Sequence, residues 1–220
     1  MNVEIKHRPA FATIFVTLAP GESIIAESDA MASMSSNVGM RTRFNGGFFP
    51  AILKKLFGNE SLFINEFFCE SGESAQVVLT QPTPGDIEQI DLAGESLFFQ
   101  PGAYVASTPG VKVSMAWAGL ASWFGGEGLF RLRVHGKGSV WFGGYGGVYQ
   151  RPIKGEYIVD TGHLIAYDPS LTLSIGLSGG LFSSFFGGEG FISRVKGEGK
   201  VYMQSRSMDG LASWTNGHLY

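Results

Sequence analysis

Cysteine is almost missing from this chain: Cys69 stands alone among 220 residues. A single thiol closes no intrachain bridge, so a disulfide framework is excluded and a reducing compartment is expected. Within Glu66-Phe67-Phe68-Cys69, its expected role is that of a small buried hydrophobe. Concentrated basic charge is lacking too. Lys and Arg number 16 against 19 Asp and Glu, and no basic run exceeds two adjacent residues (Lys54-Lys55). Nucleic-acid surfaces need clustered cations to displace counterions, so no nucleic-acid partner is expected. The opening MNVEIKHRPAFATIF has neither a secretory nor a transit pattern. Pro169 to Gly188 carries no charge, but Gly176, Gly179 and Gly180 interrupt it. A spanning helix needs ~20 predominantly apolar residues, so the expected location is cytoplasmic.

Catalytic signatures are missing as well. His7, His135, His163 and His218 have no metal-ligand spacing. Neither Gly136-Lys137 nor Gly199-Lys200 continues into a Walker A motif. Gly176-Leu177-Ser178-Gly179-Gly180 satisfies the G-x-S-x-G pattern, with Asp209 and His218 following in hydrolase order. That elbow requires a strand-to-helix turn in a parallel sheet, whereas Ser178 ends a repeated β-strand whose counterpart residue is Ala118. The reading is a protein that is not an enzyme and has no cofactor.

Glycine is abundant instead, at 32 of 220 residues, about twice the ordinary share, and phenylalanine reaches 18. Gly-punctuated aromatic and β-branched runs suit short strands joined by tight turns. The runs repeat. Gly21-Glu22, Gly94-Glu95 and Gly155-Glu156 each lead into an apolar strand, with the glutamates expected at strand starts, discouraging edge pairing. Turn candidates follow at Ser28-Asp29, Pro101-Gly102 and Thr161-Gly162, and then second strands, a hairpin signature. Val111 to Met115 and Leu171 to Ile175 alternate alike, with Val38 to Thr42 in the equivalent place. Gly125-Gly126-Glu127-Gly128 matches Gly187-Gly188-Glu189-Gly190, with Gly58-Asn59-Glu60-Ser61 as a degenerate first copy. Gly136-Lys137-Gly138 and Gly197-Glu198-Gly199 each precede an aromatic strand.

The expected fold is therefore all-β: a single domain over 1–220 containing three tandem β-sandwich-like repeats, approximately 12–91, 92–153 and 154–211. Each unit has little core of its own, so the three should share faces in one globule with pseudo-threefold symmetry. The boundaries near Asp91-Leu92 and Ile153-Lys154 carry no linker-like tract.

The copies differ most before the Gly-x-Glu turn. In the first, Pro50 suits a first helical position, while Ile52, Leu53, Leu56 and Phe57 recur at helical spacing, predicting a short helix closed by Gly58. Phe48 and Phe49 precede it; the other copies place Trp123, Phe124, Phe185 and Phe186 at the same topological point. These apolar tips either plug the body along its axis or form an exposed docking face. Glu60, Glu127 and Glu189 are weak candidates for a hard cation near that axis, and otherwise polar tips of turns.

The Gly-Gly-Glu-Gly-[Leu/Phe] turns, the Gly-x-Gly-x-Val-[Trp/Tyr] strands and the closing Gln204-Ser205-Arg206-Ser207 resemble the altered-inheritance-of-mitochondria family, including its bacterial members. The likeness covers Val3 to Tyr220. It implies three tandem units in a fold similar to that of the tryptophan RNA-binding attenuation protein (TRAP-like). It also implies relatives that are largely uncharacterised in bacteria and linked to inner-membrane organisation in mitochondria. It brings no catalytic residues, and likeness of fold does not carry RNA binding with it. The functional expectation is a non-enzymatic scaffold or interaction protein, homo-oligomeric or docking to a partner or a peripheral membrane surface through its tips. The alternative is a small-molecule or metal-binding module with its site near the pseudo-threefold axis.

Overall fold

The computed structural model describes residues 1–44, 63–70, 72–117, 130–177 and 191–218. Alternation sets the first strands. In β2 (Thr13–Leu18), Ile14, Val16 and Leu18 are buried and the residues between them are half-buried. β7 (Ala75–Leu79) buries Ala75, Val77 and Leu79 and runs antiparallel to β2, with Val77 opposite Val16. β1 (Asn2–Lys6) and β4 (Met31–Met34) complete a four-stranded sheet ordered β1-β2-β7-β4.

The second sheet contains β3 (Ser23–Glu27), β5 (Val38–Phe44), β6 (Phe63–Cys69), β8 (Ile87–Phe99), β9 (Tyr104–Ser107), β10 (Val111–Trp117), β11 (Phe130–Gly143), β12 (Val148–Asp160), β13 (Leu164–Tyr167), β14 (Thr172–Leu177) and β15 (Phe191–Gln204). Its order is β12-β15-β13-β8-β11-β9-β3-β6-β5, with β10 added on β11 and β14 on β15. The class is all-β, as expected. A helix, α1 (Met208–His218), follows the last strand, and the Ser207 hydroxyl caps it by accepting from Gly210 N at 3.0 Å. The helix expected at 50–57 lies outside the described residues.

Turns occur at Ser28-Asp29, at Pro101-Gly102 and, as a single 3-10 turn, at Thr161–His163. The strands they join are not hairpins, contrary to the sequence reading. β8 and β9 lie on opposite sides of β11, β12 and β13 flank β15, and β3 pairs with β6 while β4 pairs with β7. The reason is burial. All four residues of β9 and all four of β13 are buried, so their backbone groups need partners along both edges, and each lies between two strands other than the one before its turn.

The pairings recur in register. β9 meets β11 through Ser107–Val140, Ala106–Trp141 and Tyr104–Phe142, skipping one residue. β13 meets β15 through Tyr167–Val201, Ala166–Tyr202 and Leu164–Met203, with the same skip. β4 meets β7 through Met34–Val77, Ser33–Val78 and Met31–Leu79, again with that skip. Between these sets, β9 pairs with β3 at Ala106–Ala26 and Ser107–Ile25, and β13 pairs with β8 at Ala166–Phe99 and Tyr167–Phe98.

The long strands run on through glycines rather than starting at them. Asp91-Leu92 lies inside β8 and Ile153-Lys154 inside β12, so Glu95 and Glu156 are mid-strand, not at strand starts. Gly136 (φ +118) and Gly197 (φ +131) occupy matching points of β11 and β15. A Cβ there would stand 2.5 Å from Gly110 O and 2.9 Å from Ser170 O, so only glycine fits both the dihedral and the space. Among the described residues three apolar clusters fill the interior: one around Ile14, Leu79, Phe67 and Trp141, one around Phe99, Tyr104, Val134 and Phe142, and one around Tyr167, Val195 and Val201.

Gly136→Ala is expected to lower the unfolding free energy by about 2–4 kcal/mol, from dihedral strain plus the carbonyl clash. Gly147→Ala, with ordinary φ and its nearest contact at 3.7 Å, should stay within about 0.5 kcal/mol of the parent. Urea titration of both variants measures the contrast.

Candidate functional site

Three ladders lead to the segments that the sequence analysis singled out. β5–β6 ends at the pair Phe44–Phe63, β10–β11 at Trp117–Phe130 and β14–β15 at Leu177–Phe191. The connections, 45–62, 118–129 and 178–190, contain Phe48, Phe49, Ile52, Leu53, Leu56, Phe57, Trp123, Phe124, Phe185 and Phe186, together with Glu60, Glu127 and Glu189. All thirteen lie outside the described residues, as does Ser178.

Below these ends, side chains tie the ladders together. Ser114 Oγ donates to Arg133 O at 3.3 Å, and Ser174 Oγ donates to Arg194 O at 3.5 Å, the matching place on the next ladder. Arg41 Cζ lies 4.4 Å from the Phe68 ring centre, a cation–π contact across β5 and β6. Arg131 is more enclosed. Its Cζ stands 3.9 Å from the Phe98 ring centre, its Nη1 donates to Tyr167 Oη, and its Nε is buried without a hydrogen-bond partner. Since Phe98, Arg131 and Tyr167 come from β8, β11 and β13, this stack sits where the second sheet passes from one long strand pair to the next.

Among the described residues no group of three His, Cys, Asp or Glu side chains stands ready for a metal. Cys69 is buried and donates to Glu73 O at 2.9 Å, in keeping with its expected place in the core. His163 Nδ1 lies 2.8 Å from Gln204 O, and His218 Nδ1 lies 2.7 Å from Trp214 O with its ring stacked on Trp214. Asp209 and His218 thus both belong to α1, and that ring engages its own helix. Sequence reasoning missed this helix. Ser207 followed by Asp209 was its starting signal, weakened by Gly210 and Gly217 in the interior. No residue of α1 is buried, and Met208, Leu211 and Trp214 are exposed. Among the described residues no helix is long and apolar enough to cross a membrane.

A polar cluster closes around one buried carboxylate. Asp86 is buried and accepts from Arg8 Nε at 2.7 Å and Arg8 Nη2 at 2.9 Å, while Arg8 Nη2 also donates to Glu88. Asp86 Oδ1 further accepts from Ile87 N at 2.9 Å. The hydrogen bond to Asp86 is the main reason that the Arg8 pKa is pushed up further. Its role is structural: a bidentate clamp fixing the residues before β2 to the start of β8.

Glu22, Glu95 and Glu156 follow the positive-φ glycines Gly21, Gly94 and Gly155 and are all held below the usual carboxylate range. For Glu22 the main cause is the amino terminus, helped by Ala19 N; for Glu95 it is backbone amides, its own first and then Ala93 N at 2.6 Å; for Glu156 it is Lys196 and then Arg194. The unfolded chain therefore binds more protons than the folded one in acid. The contribution is complete above the usual glutamate value of 4.5 and is lost as pH falls through the lowered folded values. The urea midpoint of the parent should fall between pH 5 and about pH 3. That of Glu22→Gln/Glu95→Gln/Glu156→Gln should fall less steeply, and equal slopes would refute the assignment.

This arrangement of strands is similar to solved structures. The crystal structure of a Streptococcus pyogenes protein superimposes with a TM-score of 0.80 over 99% of each chain, at 23% identity, which establishes likeness of fold. An uncharacterised protein of Streptococcus pyogenes serotype M6 is 25% identical over 228 residues, spanning all of this chain and 91% of that protein. Residues 3–206 match the family model described as mitochondrial biogenesis AIM24, and the chain belongs to that family.

Proposed function

We propose that this protein is a non-enzymatic β-structured scaffold that docks through the apolar segments at its three ladder ends. Its body is read as three tandem units with approximate threefold symmetry. The single observation behind this reading is the recurrence of the ladders. β5–β6, β10–β11 and β14–β15 hold corresponding places, and each leads into a connection rich in bulky apolar residues. The shared skip in β4–β7, β9–β11 and β13–β15 supports the same division into units. In this reading the bulky apolar residues in the sequences of the three connections supply the docking surface together.

The surface fits an uncharged lipid interface better than an acidic one. The net charge is −3 and Lys54-Lys55 is the longest basic run, so attraction to anionic headgroups is weak and apolar insertion would supply the affinity. Light scattering of the purified protein with and without phosphatidylcholine vesicles tests the reading. The parent should associate with vesicles, and Trp123→Asp/Phe124→Asp/Phe185→Asp/Phe186→Asp should bind at least about tenfold more weakly at unchanged circular dichroism. A parent that neither binds vesicles nor self-associates would sink the proposal.

A further inference from the structure

The two internal junctions of the second sheet follow one rule, and applying it once more leaves two strand edges without partners among the described residues. The strand after the turn in each later unit pairs with the strand before the turn in the preceding unit: β9 on β3, β13 on β8. By matching register, Ile25, Phe98 and Ile158 are equivalent, as are Ser107, Tyr167 and Met34. A third junction would join Met34 and Ser33 of β4 to Ile158 and Val159 of β12. Among the described residues the chain does not make it: β4 pairs only with β7, and β12 only with β15.

Exposure follows the same division. Every residue of β9 and β13 is buried, whereas every residue of β4 is exposed, Met31 at 37% and Met34 at 41%. Ile158 is 49% exposed, where its counterparts Ile25 and Phe98 are half-buried. Nor are these stretches guarded. β1 carries Glu4 and Lys6, and the first part of β12 carries Arg151, Pro152, Lys154 and Glu156, the usual deterrents to edge pairing. Met31-Ala32-Ser33-Met34 and Tyr157-Ile158-Val159 carry neither charge nor proline, and Asp160, the one charged residue of that end, has its carboxylate engaged by Gly162 N at 2.8 Å. Ser35 N donates to Gln76 O across the β4–β7 ladder, so strand alternation turns the N–H of Met34 toward the open side.

We infer that β4 of one molecule pairs with the Tyr157–Asp160 end of β12 in a second copy, repeating between chains the junction made twice within one. This rests on the tandem-unit reading but not on the docking role of the ladder ends. The contact is heterologous: each copy offers one edge of each kind, so association continues head to tail into a ring or a fibre. The partner is a second copy because that copy supplies the strand type, length and register that β3 and β8 already accept.

Sedimentation across protein concentration provides the test, with Met34→Lys and Ile158→Lys each checked for fold by circular dichroism. The parent should form multiples of its 23.7 kDa mass. Each variant alone should associate at least about tenfold more weakly. An equimolar mixture of the two should restore association but stop at the dimer, since each retains one good edge. A monomeric parent overturns the inference, and so does undiminished assembly of either variant or a mixture that fails to pair. Vesicle binding by the folded variants should match the parent, so loss of this junction is read separately from loss of the docking surface.

Discussion

Backbone groups shut away from water must find partners along both edges of a strand, and the rest of this fold follows from how β9 and β13 meet that demand. Each is four residues long and entirely buried. One edge is met by the final strand of its own unit, β11 or β15, and the other by the strand before the turn in the preceding unit, β3 or β8. Neither unit can satisfy its own crossing strand, so the units form one body. The Arg131 stack on Phe98 and Tyr167 lies at one such junction, where an aromatic pair and a guanidinium cover the exchanged edge.

Glycine makes this exchange possible. A straight strand of thirteen or fourteen residues would keep its two halves in one plane, but neighbours change along β8, β11 and β15, and β12 follows β15 over its whole length. Positive φ at Gly94, Gly136, Gly155 and Gly197 supplies the bend. In the first unit the same path is divided: β2 and β3 are separate strands, as are β6 and β7. That division leaves β1, β2, β7 and β4 as a sheet of their own.

Much of this was legible in the sequence, for physical reasons that also mark where the reading stopped. Period-two alternation in Val111 to Met115 identified a strand with one buried face, and the dipeptides at Pro101-Gly102 and Ser28-Asp29 located turns. Local turn chemistry, however, is blind to which strands pair. A tight turn followed by Tyr104-Val105-Ala106-Ser107 reads as a hairpin, although four consecutive buriable residues were the sign of a strand enclosed on both sides. Gly-Glu at 94–95 and 155–156 was read as a strand start because glycine interrupts strands in general; here it bends one that continues. Helix α1 went unread because its two glycines hide the cap at Ser207. For the candidate site, the sequence located the apolar connections, whereas the open edges of β4 and β12 depend on pairings that no local pattern contains.

The connections between units bear on whether those open edges are held in place or merely loose. Pro84-Gly85-Asp86, before β8, runs against Gly144-Tyr145-Gly146, before β12. Asp86 N donates to Gly146 O at 2.8 Å, Gly144 N to Asp86 O at 3.2 Å and Gly146 N to Pro84 O at 3.0 Å. A Cβ on Gly85 would stand 1.9 Å from Gly144 O, so the approach requires glycine. Arg8 then fastens the chain before β2 to the same point through both Asp86 oxygens. The first strand of every unit thus emerges from one stitched hub. The open edges themselves are held by their own ladders, β4 along β7 and Tyr157–Asp160 along β15, so they lose little freedom when a strand is added, which is the condition under which so short a ladder can hold two molecules together.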